Sequence, residues 1–195
     1  MINGKRLIAI IPARANSTRI KNKNLKKIGK YSLVENTIRY AKSLNHIDEI
    51  IVSTDSKKIN TIAKKYKIND NELRPKFLSG KFSLTSKLVL YLIKKKRLEN
   101  DYILLLQCTS PFRKKIDFYK LIKKFKLTKS NAILSVVKNN FAHPFKSLKK
   151  KKNRFIEPFF KKETNVPSQK LQEAYISNGA FYLISAKNLI KYKTF

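Results

Sequence analysis

Hydrophobic positions along most of the chain alternate between short apolar runs and stretches with helical spacing. Leu7 to Pro12 is an uninterrupted apolar run, which is typical of a buried strand. Ser32 to Leu44 has apolar residues at helical spacing, and Ser32 with Glu35 forms a capping-box pattern at its start. Further strands are predicted at 49–54, 102–107, 132–137 and 180–184, and further helices at 56–67, 83–97, 117–127 and 186–192. This alternation predicts an α/β fold with a mostly parallel sheet that is covered on both faces.

The pattern loosens between residues 138 and 177. Three prolines interrupt this segment, and a run of four lysines lies at 149–152. Such a charge run predicts a solvated hairpin tip or loop. We find no internal repeat, so 1–195 is predicted to be a single domain.

Composition limits the class of protein. Apolar residues make up 42% of the chain, which is enough for a hydrophobic core. The sequence contains no run of eighteen apolar residues, the length that a membrane-spanning helix needs. The strand-like run begins too soon after Met1 for a signal peptide, which predicts a cytoplasmic location. Cys108 is the single cysteine, which excludes an internal disulfide.

The chain is strongly basic, with 45 Lys and Arg against 12 Asp and Glu and a net charge of +33. One interpretation is a protein that binds nucleic acid or a membrane surface. The lysines are instead spread along the whole chain, mostly on the polar faces of amphipathic segments, which favours a general compositional bias. We therefore expect neither membrane nor nucleic acid as a partner, whereas an anionic small substrate would suit this charge.

The loop after the first predicted strand carries the most informative chemistry. Ligands of open α/β sheets bind beyond the carboxyl ends of the strands. Cations at positions 14, 19, 21 and 23 stand there among hydroxyl and amide side chains, a mixture that suits a triphosphate. Neither G-x-x-x-x-G-K-[ST] nor G-x-G-x-x-G occurs, so the usual ATPase and dinucleotide interpretations lose their support. On chemistry alone, a solvated basic loop is an equal alternative.

Several short motifs extend this observation along nearly the whole chain. They are Ile10-Ile11-Pro12-Ala13-Arg14 with Ser17 and Lys23-Asn24, then Val52-Ser53-Thr54-Asp55, Leu73-Arg74-Pro75, the run from Leu105 to Arg113, His143-Pro144, and Asn178-Gly179-Ala180. In this order and spacing they resemble the acylneuraminate cytidylyltransferases, the sialic-acid-activating CMP-sugar synthetases. The resemblance implies a Rossmann-like three-layer nucleotide-diphospho-sugar transferase fold with a protruding dimerisation arm.

The resemblance also implies a reaction and its residues. CMP would pass from CTP to the anomeric hydroxyl of an acidic nine-carbon sugar, sialic acid or a relative, with release of pyrophosphate. The implied catalytic residues are Arg14, Lys23 and Gln107. The implied nucleotide-binding residues are Pro12, Ala13, Arg14, Ser17, Arg19, Lys23, Asn24 and Arg74. The implied sugar-binding residues are Gln107, Thr109, Ser110, Gln169, Asn178 and Gly179. Mg²⁺ is implied as the cofactor.

Plain structural interpretations of these residues stay open. Arg74 could be a surface charge before a proline, and Gln107 could be a strand-end residue bonded to the backbone. Asn178-Gly179 is also a common turn pair.

The chain departs from the family pattern at several positions. Thr18-Arg19 stands where Lys-Gly is common and resembles the related Kdo synthetases, and Lys81-Phe82 stands where the family has Asp-Thr. Ser168 and Ile176 replace two arginines near the sugar, and Cys108 replaces a proline. The family's magnesium-binding Asp-x-Asp lies farther along than Phe195, so we expect a truncated C-terminus. Asp55 and Asp101 near strand ends are expected to be caps or turn residues, which leaves the metal ligands unknown.

Residues 138–177 resemble the family's dimerisation arm, which predicts a homodimer that binds CTP and an acidic sugar. Three alternatives remain. They are a Kdo-type cytidylyltransferase, which residues 107–111 disfavour, a catalytically weak nucleotide-binding relative, and a basic nucleic-acid-binding protein.

Overall fold

The computed structural model of the chain describes residues 1–15, 20–68, 72–139, 142–152 and 154–195. These residues divide into two units. The first comprises Met1–Ser135 and Gly179–Phe195, and the second comprises Val136–Asn178. The second unit therefore covers the segment in which the hydrophobic pattern loosens.

Strands and helices alternate along the chain as the hydrophobic pattern predicts. The strands are β1 (Leu7–Pro12), β2 (Lys27–Ile28), β3 (Tyr31–Ser32), β4 (Glu49–Ser53), β5 (Tyr102–Leu105), β6 (Ala132–Lys138), β7 (Leu148–Lys150), β8 (Ile156–Pro158) and β9 (Tyr175–Ser185). The helices are α1 (Leu33–Lys42), α2 (Lys57–Lys65), α3 (Thr85–Lys96), α4 (Lys115–Thr128) and α5 (Ala186–Tyr192).

The central sheet has the strand order β4-β1-β5-β9-β6. Strand β1 pairs in parallel with both β4 and β5, so Ile10 lies between Ile51 and Leu105. Strand β9 runs antiparallel to β5, with Ile184 opposite Ile103. The predicted α/β fold with a mostly parallel sheet is confirmed.

Both faces of this sheet are covered. Alternate residues of β1 enter two different apolar clusters, with Leu7, Ala9 and Ile11 in one and Ile8 and Ile10 in the other. The first cluster contains the buried side chains of α1, α2 and α4, and the second contains those of α3 and α5. Because successive side chains of a strand point to opposite faces, the layers are helices, sheet and helices. The unbroken apolar run of β1 follows from this double burial.

Helix α1 begins with the predicted capping box. The Ser32 hydroxyl oxygen accepts a hydrogen bond from the Glu35 amide at 3.3 Å, and the Glu35 carboxylate accepts one from the Ser32 amide at 2.9 Å. The Ser32 side chain also donates to this carboxylate, and that bond is the main reason why the pKa of Glu35 lies below its usual value. Helix α2 has a simpler cap, in which the Ser56 hydroxyl accepts from the Ile59 amide.

Three helices end on a basic residue in the left-handed conformation. The C-caps are Arg97 after α3 (φ 54°), Lys129 after α4 (φ 48°) and Lys193 after α5 (φ 58°). Glycine usually takes this position because it has no Cβ to clash, and this chain has only four glycines. A basic side chain at a helix C-terminus offsets part of the strain through the helix dipole.

The second unit contains a hairpin and short 3₁₀ turns. Strands β7 and β8 pair antiparallel, and the Glu157 carboxylate binds Lys149 at 3.2 Å and Lys151 at 2.7 Å. The lysine run thus lies in a hairpin, as predicted. Three 3₁₀ turns, Pro144–Lys146, Glu163–Asn165 and Ser168–Lys170, make up much of the rest.

Within the described residues, we find no helix with the length and apolarity that a membrane crossing requires. The cytoplasmic location stays a prediction.

Candidate active site

A cleft of about 290 Å³ opens at the carboxyl ends of β1 and β5. It is lined by Pro12, Arg14, Lys23, Asn24, Arg74, Leu78, Lys81, Ser83, Leu84, Thr85, Leu88, Gln107, Cys108 and Thr109. Seven residues of the predicted site lie in this lining, namely Pro12, Arg14, Lys23, Asn24, Arg74, Gln107 and Thr109. Ala13 lies fully buried beside them in the core. The structure therefore gathers at one strand edge residues that are far apart in sequence.

Hydrogen bonds fix Arg14 and Ala15, the described residues at the start of the loop after β1. The Arg14 guanidinium donates to the carbonyls of Gly80 at 3.1 Å and Lys81 at 3.4 Å. The buried Asn24 side chain donates to the Arg14 carbonyl at 2.9 Å, and the Ala15 amide donates to the Asp55 carboxylate at 2.6 Å. Asn24 therefore fixes the backbone that carries Arg14.

Arg74 is a buried cation of the cleft wall, only 9% exposed. Its guanidinium donates to the Ser53 hydroxyl at 3.2 Å and to the Ser53 carbonyl. Burial lowers the pKa of Arg74 to about 10, an effect that the Asp55 carboxylate opposes. The interpretation of Arg74 as a surface charge is wrong, because its side chain is buried and its guanidinium is bonded to Ser53.

Gln107, Ser110 and Gly179 converge beside the cleft. Gly179 has a left-handed φ of +73°, and a Cβ at this position would lie 3.4 Å from Gln107 Oε1 and 3.5 Å from Ser110 Oγ. Glycine is favoured here for two reasons. A residue with a Cβ is strained at this positive φ, and its side chain would cover these two polar atoms. Three of the predicted sugar-binding residues are therefore neighbours.

Arg113 is a cleft-supporting residue to which sequence reasoning gave no role. Its guanidinium donates to the carbonyl of Ala180 at 2.7 Å and to the carbonyl of Gln107, so it ties the loop after β5 to β9. Burial lowers the pKa of Arg113 to about 10. The sequence signal was its place at the end of the Gln107–Arg113 motif, next to the proposed sugar residues.

Lys81, Ser83 and Thr85 also line the cleft, and sequence reasoning missed all three as site residues. They precede α3 or begin it, in the region where the chain departs from the family pattern. A basic residue followed by hydroxyls before a helix is a signal that could have found them, because such groups bind phosphates.

The other four residues of the predicted site fall into two pairs. Ser17 and Arg19 lie outside the described residues. Gln169 and Asn178 belong to the second unit, where Gln169 lies in a 3₁₀ turn and Asn178 lies in β9.

The described residues do not form a cage for a metal ion. In the described ranges, no group of three or more His, Cys, Asp or Glu side chains could hold one. One Asp55 oxygen accepts from the Ala15 amide, and Asp101 forms an ion pair with Arg6 at 2.6 Å, away from the cleft lining. Mg²⁺ prefers carboxylate and phosphate oxygens, and the cleft lining that the structure describes offers no carboxylate.

Cys108 is a core residue at the base of the cleft. It is 2% exposed, and burial raises the pKa of its thiol to about 11, which a hydrogen bond with the Thr37 side chain offsets only in part. A thiol with this pKa is protonated at neutral pH and is not a nucleophile. The expectation that Cys108 is a small buried residue is confirmed.

Solved structures of nucleotide-sugar enzymes have the same fold. A CMP:2-keto-3-deoxy-manno-octonic acid synthetase complexed with CTP matches with a TM-score of 0.66 at 15% identity, over 96% of this chain and 77% of that one. A 4-diphosphocytidyl-2C-methyl-D-erythritol synthase matches with a TM-score of 0.64 at 13% identity, over 96% and 78%. These likenesses support the Rossmann-like architecture.

Relatives found by sequence comparison share a higher fraction of identical residues with this chain than these solved structures do. A CMP-N,N'-diacetyllegionaminic acid synthase of Legionella pneumophila is 30% identical over 97% of this chain and 82% of its own length. A pseudaminic acid cytidylyltransferase of Campylobacter jejuni is 28% identical over 92% of this chain and 78% of its own length. An N-acylneuraminate cytidylyltransferase of Escherichia coli is 28% identical over 97% of this chain and 45% of its own length.

The sequence model of the family described as Cytidylyltransferase matches residues 8–194, which is nearly the whole chain. The match spans β1 with its cationic loop, the Arg74 segment, and the Gln107–Arg113 motif, which are the features that build the cleft. The chain belongs to the cytidylyltransferase family.

Proposed function

We propose that the chain transfers CMP from CTP to the anomeric hydroxyl of an acidic nine-carbon sugar and releases pyrophosphate. The observation that carries this proposal is the convergence of Arg14, Lys23, Arg74 and Gln107 on one cleft at the carboxyl ends of β1 and β5. The relatives act, by their names, on legionaminic, pseudaminic and N-acylneuraminic acids, which supports a sugar of this class.

The proposed chemistry is a displacement at the α-phosphorus of CTP. The sugar hydroxyl oxygen bonds to this phosphorus, its proton is released, and the bond to the β-phosphate oxygen breaks. Negative charge grows on the departing pyrophosphate, where Arg14 and Lys23 would neutralise it. The chain's main contributions are therefore alignment and charge stabilisation.

Arg74 is proposed to hold the nucleotide. Its two bonds to Ser53 fix the guanidinium in one orientation before the ligand arrives. Such preorganisation lowers the entropic cost of binding.

Gln107, Thr109, Ser110 and Gly179 are proposed to bind the sugar, with Gln169 and Asn178 as further contacts implied by the resemblance. Amide and hydroxyl groups suit a polyhydroxylated ligand, because each can donate or accept hydrogen bonds. Mg²⁺ stays a prediction from the resemblance, since the described cleft does not fit a protein-held ion.

A pyrophosphate-release assay tests the proposal. CTP is combined with N-acetylneuraminic, N,N'-diacetyllegionaminic or pseudaminic acid, or with Kdo, and we expect release with a nine-carbon acid. Release with Kdo alone would favour the Kdo-type alternative. Stabilisation by CTP without release for any sugar would favour a nucleotide-binding relative without turnover.

Variants of cleft residues test whether CTP binding depends on the cleft or only on the overall positive charge of the chain. We expect Arg14→Ala and Lys23→Ala each to weaken CTP binding about tenfold, or about 1.4 kcal/mol. Lys26→Ala is the matched control for Lys23→Ala, because Lys26 is exposed three residues later and does not line the cleft. Equal CTP affinity in Lys23→Ala and Lys26→Ala would contradict the assignment.

We also propose that the chain forms a homodimer through the second unit. Its hairpin exposes large apolar side chains, including Phe155 at 71% and Ile156 at 64%. Aromatic side chains such as Phe155 are enriched in protein–protein interfaces. Light scattering at micromolar concentration should give the mass of two 22.8 kDa chains, and the mass of one chain would contradict the proposal.

A further inference from the structure

The described lining of the cleft carries four cations, Arg14, Lys23, Arg74 and Lys81, and no carboxylate. We propose that Lys81 is a further triphosphate-binding residue, and that with it the cleft binds the nucleoside triphosphate without a divalent cation. This inference rests on the proposed function, since it concerns how the same site holds its nucleotide.

The position of Lys81 is set by Arg14. The Arg14 guanidinium donates to the Lys81 carbonyl at 3.4 Å and to the preceding Gly80 carbonyl at 3.1 Å. These bonds hold the segment before α3 against the loop after β1, so Lys81 is placed next to Arg14 at the cleft. The Lys81 side chain itself is exposed, with its ammonium 5.4 Å from the centre of the Phe82 ring, and is able to turn toward a ligand.

The chemistry of the lining suits a metal-free polyphosphate. A nucleoside triphosphate without metal carries several negative charges, and each of the four cations offers donors to phosphate oxygens. Ser83 and Thr85 add hydroxyls on the same side of the cleft as Lys81. With no carboxylate in the described lining, no acidic side chain there repels the phosphates.

Asp55 is the acidic residue that the structure places near this cation set. It interacts electrostatically with Arg74, and one of its oxygens accepts the Ala15 amide. This arrangement uses Asp55 to hold the loop, and it lies outside the cleft lining. The donor set therefore favours neutralisation of the triphosphate by side chains over neutralisation by a protein-held metal.

The overall charge of the chain could attract any anion, so the test needs a lysine that is matched in charge and neighbourhood. Lys87 fits, because it is exposed on α3 six residues after Lys81 and lines a neighbouring groove but not the cleft. Lys87→Ala removes the same charge from nearly the same place.

The experiment measures the dissociation constant of CTP by calorimetry in EDTA and in Mg²⁺, for the wild-type chain, Lys81→Ala and Lys87→Ala. We expect wild-type affinity in EDTA to lie within about threefold of that in Mg²⁺. Lys81→Ala should weaken binding in EDTA about tenfold, whereas Lys87→Ala should change it less than about twofold. Inorganic tripolyphosphate should compete with CTP in EDTA for the wild-type chain.

The outcomes distinguish this inference from the proposed function. CTP binding that falls more than about tenfold in EDTA, or equal affinities for the two lysine variants, would overturn the inference and leave the proposed function standing. No CTP binding in either condition would overturn both. Lys81→Arg should retain metal-free binding, because it keeps the cation, and loss of binding in this variant would also count against the inference.

Discussion

Gly179 combines a left-handed backbone conformation with a position in the proposed sugar site. Gly179→Ala would place a methyl group against Gln107 Oε1 and Ser110 Oγ, in addition to the strain of a positive φ. We expect the KM for the sugar to rise about tenfold while the affinity for CTP is unchanged. Steady-state kinetics at saturating CTP measure the first quantity, and calorimetry measures the second.

Gly29→Ala is the control for this variant. Gly29 also has a positive φ, +64°, but a Cβ there would meet nothing within 4 Å. Both variants carry the backbone strain, about 1–2 kcal/mol, and only Gly179→Ala adds a methyl group in contact with the two polar atoms. A sugar KM that rises equally in both variants would show that strain alone is responsible.

The Cys108 thiol should react only slowly with alkylating reagents in the folded chain. Its burial and raised pKa of about 11 leave almost no thiolate at neutral pH. Because folding raises this pKa, the rate of iodoacetamide labelling in the native state should increase with pH up to about 11, and it should be slow at pH 8. In guanidinium the same thiol should label rapidly, and fast native labelling at pH 8 would contradict the assignment.

The sequence predicted which residues lie at the cleft where those residues belong to a recognisable motif. Arg14, Lys23 and Asn24 follow a recognisable strand, and the structure places them at the cleft. Lys81 and Arg113 were missed because their placement depends on hydrogen bonds to partners 67 residues away in sequence. The Lys81 carbonyl accepts from the Arg14 guanidinium, and the Arg113 guanidinium donates to the Ala180 carbonyl. Such pairings are created by the sheet, and no local pattern marks them.

At the scale of elements, the start of α1 provides a pH-dependent test. Ser32→Ala should lower the free energy of unfolding by about 1 kcal/mol at pH 7, because it removes the cap. The Ser32 hydroxyl also holds the pKa of Glu35 down, so its contribution is present above the unfolded pKa of Glu35 and is lost as the pH falls through the folded value. Urea unfolding at pH 7 and at about pH 4 should therefore show a smaller penalty at the lower pH.

Ser56→Ala is the matched control at the start of α2. Ser56 caps the helix through the Ile59 amide, and position 59 has no carboxylate to reciprocate. Its penalty should be the same at both pH values. A Ser32→Ala penalty that is equally independent of pH would mean that Glu35 adds nothing to the cap.

Element positions were predicted well where periodicity was strong. The bounds of β1 and α5 agree with the pattern, and α1 to α4 differ by a few residues at their ends. The pattern predicts a strand from 180, yet β9 begins at Tyr175. Residues 175–179 are mostly exposed, so no buried face produced a hydrophobic signal there. The two-residue strands β2 and β3 were missed because two residues are too few to show a strand periodicity.

At the scale of the whole molecule, the charge of +33 should make stability depend on salt. Like charges repel in the compact state, and added ions screen this repulsion. Raising NaCl from about 50 mM to about 500 mM should raise Tm by roughly 3–6 °C. Calorimetry with sucrose in place of salt is the control, and a Tm that falls with salt would contradict the expectation.

The α/β class followed from the sequence because the central strands β1 and β5 are buried and form continuous apolar runs between helical segments. The strand order β4-β1-β5-β9-β6 did not follow, since it depends on pairings between distant segments. The position of β9 next to β5 is such a pairing, and it brings Gly179 to Gln107. The contribution of Gly179 to the proposed sugar site is therefore a product of topology.

The left-handed C-caps are positions at which substitution should increase the stability of this protein. Arg97, Lys129 and Lys193 occupy positions that glycine tolerates better, and each change to glycine would relieve on the order of 1 kcal/mol of backbone strain. All three lie outside the cleft lining. Stabilising substitutions can thus be sought at helix ends, away from the cleft to which the reaction is assigned by proposal.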